Sequence, residues 1–217
     1  MAAHIRRYHA VSHASSQAAV AAIVALSPLP YVWPIALLFW AACIWAFSAE
    51  IPFTIRDRVA GPADKQSMRV VKFANGVAAF FAFFAASAVP RLAMPFRLPS
   101  YFAGIAIVVF GGVLRRHCFR TLGAFFTYDV RIASNQHVVD RGAYRYVRHP
   151  SYTAGLMLFG GIGLALGNWV SLAVSVVVPL AGYAYRIHVE EQALLDGLGP
   201  AYAGYMKRTH RIIPFVC

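Results

Sequence analysis

Two stretches of this chain concentrate the residue types that could do chemistry. The first, Arg115 to Tyr152, reads RRHCFRTLGAFFTYDVRIASNQHVVDRGAYRYVRHPSY, and the second, Arg186 to Pro214, reads RIHVEEQALLDGLGPAYAGYMKRTHRIIP. In the first, Asn135-Gln136 and Arg141-Gly142 are turn elements flanking the apolar pair Val138-Val139. Main-chain groups in such a segment are free to bind the base or amide of a ligand. Tyr144, Tyr146, Arg148, His149, Pro150, Ser151 and Tyr152 follow. Pro150 biases His149 away from helix, and Ser151 to Gly155 can open a new helix whose free N–H groups suit a carboxylate. In the second stretch Arg186 and Glu190 are four apart and share a helical face, with His188 and Glu191 elsewhere around the turn. Arg186 directly follows an apolar run, which puts it near a lipid interface, where charges are costly and often functional. The competing readings are a juxtamembrane belt of snorkelling Arg and interfacial Tyr for the first stretch, and an ordinary surface ion pair for the second. H-x-E-E without a second His or Cys nearby is a poor metal site, so no metal is expected.

The elements that must hold these residues are membrane helices. Of the 217 residues, 59% are hydrophobic and only 13% charged, with a mean hydropathy of +0.58, whereas about a quarter of a soluble domain is charged. The 20 Lys and Arg against 8 Asp and Glu would point to nucleic acid in a soluble protein. Here they sit between apolar runs, as in cytoplasmic loops of membrane proteins, and no nucleic-acid partner is expected. Cys43, Cys118 and Cys217 have neither metal-like nor framework spacing and read as unpaired thiols.

Apolar runs cover Ala14 to Ser27, Tyr31 to Ala49, Val70 to Val89, Pro99 to Leu114, Thr153 to Leu166 and Trp169 to Tyr185. The expected fold is an all-α, polytopic transmembrane helix bundle of five or six spans, with a cytosolic cofactor pocket built from the C-terminal half. Residues 1–114 would supply N-terminal transmembrane helices, and 115–217 a catalytic region with a transmembrane hairpin, the two forming a single integrated domain. The first run reads as a signal-anchor-like span, with a cleaved leader as the alternative. With six helices and the N-terminus inside, 18 Lys and Arg fall on the cytoplasmic side and only Arg91 and Arg97 outside. With five, the long basic loop and the C-terminal segment stay cytoplasmic. The glycines crowding the last two thirds of the chain, among them Gly104, Gly111, Gly161 and Gly163, read as close helix packing or as a groove for a lipid tail.

RTLGAFFTYDV, QHVVDRGAYRYVRHPSYTAG and RIHVEEQALLDGLGPAYAGYMKRTHRIIP together resemble the isoprenylcysteine carboxyl methyltransferase family, and more broadly the membrane methyltransferases that include phospholipid N-methyltransferases. The short loops look more like the prokaryotic members of that family. The resemblance implies an integral, multi-pass enzyme that uses S-adenosyl-L-methionine (SAM), with its active site facing the cytoplasm (at the inner membrane, if bacterial). Carried over by position, Gln136, His137, Val138 and Val139 would line the adenosine side of the cofactor. Tyr144, His149, Pro150, Ser151 and Tyr152 would close around it, Glu190 would bind its ammonium, and Arg186 would position the acceptor. The order Gln136-His137 departs from the family's usual turn, which leaves open which of the two makes a side-chain contact.

The chemistry fits the residues. The sulfonium already carries an activated methyl group, so transfer needs mainly proximity and orientation. A carboxylate acceptor is ionised at neutral pH and needs no base, in keeping with a sequence that shows no Ser-His-Asp or Cys-His arrangement. The acceptor would be a lipophilic small molecule or lipid-modified substrate entering from the bilayer among membrane lipids, most simply O-methylated on a carboxylate. N- or S-methylation of a lipid amine or thiol is the nearest alternative. An NADPH-dependent membrane reductase of the sterol-reductase type shares the RHP-x-Y region and stands as a second class, and a non-enzymatic membrane protein as a third.

Overall fold

A computed structural model describes residues 33–51, 64, 66–126 and 137–212. The described residues are helical, with three 3-10 turns and no strand: α1 (Trp33–Ser48), α2 (Ser67–Ala88), α3 (Arg97–Leu122), α4 (Pro150–Ala165), α5 (Trp169–Leu198) and α6 (Pro200–Arg208). The chain divides into two compact units, 1–40 and 41–217, with the boundary inside α1. Of the first unit only the apolar start of α1 is described.

Three helices, α2, α3 and α5, are long and apolar enough to cross a membrane. The 22 residues of α2 reach about 33 Å, against a hydrocarbon core of about 30 Å. α4, with 16 residues, reaches only about 24 Å, and α1 has the same length. Among the described residues, then, the expected five or six spans resolve into three long helices and two shorter apolar ones. The run Ala14 to Ser27 lies outside the described residues. The outward side of α2 exposes Phe73, Phe80, Phe81 and Phe84, a contiguous apolar surface of the kind that lipid covers.

Small residues set the packing. A Cβ on Gly104 of α3 would lie 2.5 Å from the backbone of Ala165 and Gly161, and one on Gly163 of α4 would lie 2.8 Å from Leu172 of α5. These backbones therefore touch, as membrane helices do where small side chains let them. α2 turns a stripe of Ala74, Ala78, Ala82 and Ala85 inward, and Ser171 of α5 donates its hydroxyl to the Ala82 carbonyl at 2.6 Å. Gly104, Gly161 and Gly163 thus serve helix packing.

One end of the bundle is tied by Asn168. Its side-chain oxygen caps α5 by accepting from the Val170 and Ser171 amides, while its Nδ2 donates to the Val89 carbonyl at 2.8 Å. Gly167, at φ +64°, makes the preceding turn. At the opposite end the start of α2, the end of α3, the start of α4 and the last turns of α5 meet. Twelve of the fourteen described Lys and Arg lie at this second end; only Arg91 and Arg97 lie at the first. α5, with 30 residues, is roughly ten longer than a hydrocarbon core needs, so it leaves the apolar layer near Arg186 to Glu190.

Candidate active site

At the basic end a cleft opens between the 137–149 segment and the last turns of α5. Its lining includes His137, Val138, Val139, Tyr144 and His149 from the segment, Glu190 and Leu194 from α5, Tyr202 and Tyr205 from α6, and Leu122 and Phe125 from the end of α3. Two features fold the segment here. The 3-10 turn Gly142–Arg145 buries Tyr144, and Tyr205 of α6 donates its hydroxyl to the Tyr144 carbonyl at 2.6 Å. Then Val147 pairs with His210 in an isolated parallel bridge, with the Arg148 amide on the His210 carbonyl at 2.7 Å and the His149 amide on the Arg211 carbonyl at 3.0 Å. The stretch after α6 is thereby laid against the start of α4.

Two adjacent glutamates divide the work. Successive helical residues point about 100° apart, so Glu190 and Glu191 face different surroundings. The Glu191 carboxylate is buried and takes Arg148 Nε at 2.9 Å, His149 Nε2 at 3.3 Å and Arg211 Nη2 at 3.1 Å. Arg148 also donates to the carbonyls of Met206 and Thr209, so this cluster fastens α6 and its following residues to α5. Glu190 is less enclosed, its side chain 31% exposed, and lines the cleft. Its Oε2 accepts the Tyr152 hydroxyl at 2.8 Å and lies 4.0 Å from His149 Nδ1.

The remaining polar lining is aromatic. Tyr144 Oη is buried and has no partner at hydrogen-bond geometry, its polar neighbours being Ser151 and Cys118. Burial pushes the phenols of Tyr144, Tyr202 and Tyr205 above their ordinary range, so they stay protonated. The His137 ring meets Phe125 edge to face, with centroids 4.9 Å apart.

Of the residues singled out from sequence, His137, Val138, Val139, Tyr144, His149 and Glu190 come together on the cleft wall. Tyr152 stands behind Glu190 and holds it. Pro150 is the first residue of α4, and Ser151 offers its carbonyl to Arg115 Nη1 at 2.9 Å; neither lines the cleft. Gln136 lies outside the described residues. His149 does leave the helical region, at φ −124° and ψ 56°. Two of the N–H groups at the α4 start are already engaged, however: the Tyr152 and Thr153 amides donate to the His149 carbonyl.

Arg186 does not line the cleft. It is 2% exposed; its Nη1 contacts Asp64 and donates to Ser67 Oγ at 2.6 Å, and its Nε donates to the Tyr152 hydroxyl at 3.1 Å. Sequence reasoning missed Asp64 and the Arg148–Glu191–Arg211 cluster. The cluster had a legible signal, two glutamates side by side on one helix; Asp64 had none.

The C-terminal half of the chain has relatives. Residues 99–200 match the family model described as phospholipid methyltransferase. Over that region the chain is similar to the phospholipid methyltransferase family. Among curated proteins it is 33% identical over 115 residues to protein-S-isoprenylcysteine O-methyltransferase B of Arabidopsis thaliana, covering 52% of this chain and 58% of that one. To the protein-S-isoprenylcysteine O-methyltransferase of Schizosaccharomyces pombe it is 30% identical over 116 residues, covering 52% and 49%. The chain thus spans under two thirds of the length of these relatives. Among solved structures, the eukaryotic intramembrane Ras methyltransferase isoprenylcysteine carboxyl methyltransferase shares the fold, with a TM-score of 0.52 and 22% identity over 83% of this chain and 63% of that one. The family region holds most of the cleft wall, whereas Tyr202, Tyr205 and Asp64 lie outside it.

Proposed function

We propose that this protein is a SAM-dependent membrane methyltransferase that O-methylates a carboxylate on a lipophilic or lipid-modified acceptor, with its cleft in the cytoplasm. One observation carries this most directly: the two polar segments of the family region close on a single cleft with a partly open carboxylate, Glu190, in its wall. The charge distribution, with twelve of fourteen described cations at the cleft end, supports the orientation.

The residues present fit the cofactor. Glu190 offers an acceptor to its ammonium, Tyr144 a buried hydroxyl without a partner, and His137, Val138, Val139 and Leu194 a largely apolar wall for a nucleoside. Gln136 remains part of the proposed adenosine side, and the Pro150–Ser151 start of α4 part of the closure around it. When bound, SAM supplies an activated methyl group on its sulfonium. The chain's own contribution is then orientation and exclusion of water. Tyr152 fixes the Glu190 carboxylate, and the Glu191 cluster keeps α6 closed over the cleft's outer side. A carboxylate acceptor brings its own negative charge and asks the protein for no base. Arg186 we assign to the acceptor side, behind the cleft wall: it is a buried cation one hydroxyl away from Glu190, with its guanidinium held by Asp64, Ser67 and Tyr152.

Calorimetry on the detergent-purified protein tests the cofactor. S-adenosylhomocysteine should bind and NADPH should not; the reverse pattern would establish a reductase. Membranes supplied with methyl-labelled SAM then test the acceptor, because an ester releases its label in base while N- and S-methyl groups keep theirs.

A further inference from the structure

The buried partner of Arg186 comes from outside the family region. Asp64, 2% exposed, stands just before α2 and is fixed there: its carboxylate accepts Ser67 Oγ at 3.1 Å and the Met68 amide at 3.4 Å. From Asp64 an unbroken line of polar contacts runs to the cleft. Asp64 Oδ1 meets Arg186 Nη1, Arg186 Nε donates to the Tyr152 hydroxyl at 3.1 Å, and that hydroxyl donates to Glu190 Oε2 at 2.8 Å.

The direction of this line is forced. A guanidinium has donors only, so the Tyr152 oxygen must accept from Arg186, and its single hydrogen is left for Glu190. The charges are also ordered. Arg186 stands near two carboxylates, Asp64 in direct contact with its Nη1 and Glu190 one hydroxyl away. Without Asp64 the guanidinium would draw on Glu190, the one that faces the cleft.

We propose that Asp64 is a positioning residue for the cleft, setting the Glu190 carboxylate toward the cofactor's ammonium through Arg186 and Tyr152. The proposal rests on the cofactor reading above. It gives the region before α2, which carries no family signature, a part in cofactor binding.

A double-mutant cycle on the full chain tests it, with S-adenosylhomocysteine affinity measured by calorimetry. Asp64→Asn, which keeps the shape and removes the charge, should weaken binding roughly tenfold in the wild-type background. In a Glu190→Gln background the same change should weaken it less than about twofold, because the group it acts through is gone. Tyr152→Phe breaks the line one link further on, leaves the Asp64–Arg186 pair intact, and should show the same dependence on Glu190; it serves if Asp64→Asn does not fold. An equal loss in both backgrounds, or no loss in the wild-type background, overturns the proposal while the cofactor reading stands. A wild-type protein that does not bind S-adenosylhomocysteine overturns the cofactor reading and this inference with it.

Discussion

At the scale of residues, Glu190 and Glu191 are neighbours in the chain with opposite dependencies. Glu191 neutralises Arg148 in a buried setting. Removing one partner of such a pair leaves the other charge stranded, at a cost of about 3–5 kcal/mol. Glu191→Ala should therefore lower the thermal midpoint in detergent sharply. Glu190→Ala should leave that midpoint almost where it was and weaken S-adenosylhomocysteine binding; equal affinity in wild type and Glu190→Ala would sink the role given to Glu190. Sequence put Glu190 on the Arg186 face and Glu191 elsewhere around the turn, but did not say what either would meet. The heptapeptide RIHVEEQ shows two carboxylates, but which one turns inward depends on where the 146–149 and 209–212 backbones lie, and those meet through main-chain hydrogen bonds that leave no trace in side-chain pattern.

At the scale of elements, helix contacts were legible as composition and the loops only as motif. Glycine enrichment pointed to close packing, and the backbones of α3 and α4 do touch at Gly104 and Gly161. Exact limits were less legible: the run seen as Thr153 to Leu166 begins at Pro150, and the run seen as Trp169 to Tyr185 continues to Leu198. Apolar composition ends where lipid ends, but α5 does not. Individual glycines are not equivalent, and the structure separates them. Gly104→Ala would force α3 and α4 apart against backbone atoms and should cost about 1–3 kcal/mol or more. Gly76→Ala, with nothing within 4 Å of the added carbon, should be neutral or stabilising by up to about 1 kcal/mol. Thermal unfolding of both variants in one detergent gives the comparison directly.

At the scale of the whole molecule, the two ends of the bundle differ in charge more than in anything else. The cleft end holds Arg115, Arg116, Arg120, Arg141, Arg145 and Arg148, and the other end Arg91 and Arg97. With the cleft in the cytoplasm, a single cysteine at Arg145 should react with a membrane-impermeant maleimide in inverted vesicles and not in intact cells. One at Arg91 should behave the opposite way. Both are placed in a background with Cys43, Cys118 and Cys217 replaced, and a matching label pattern for the two sites would refute the arrangement.

The bridge between Val147 and His210 has a consequence for how the protein is made. During synthesis α4 and most of α5 leave the ribosome before residues 209–212, so the 146–149 segment first meets the bilayer surface without the stretch that bridges it. The Arg148 and His149 amides, and the Arg148 guanidinium, then wait for carbonyls that do not yet exist. The helices can insert and pack early, but the cleft matures only when the last part of the described chain arrives. A stop codon after Arg208 should accordingly give a protein that reaches the membrane at normal levels and fails to retain S-adenosylhomocysteine. Pulse-labelled nascent chains of increasing length should acquire protease resistance in the 137–149 segment in one step, after His210 and Arg211 have emerged.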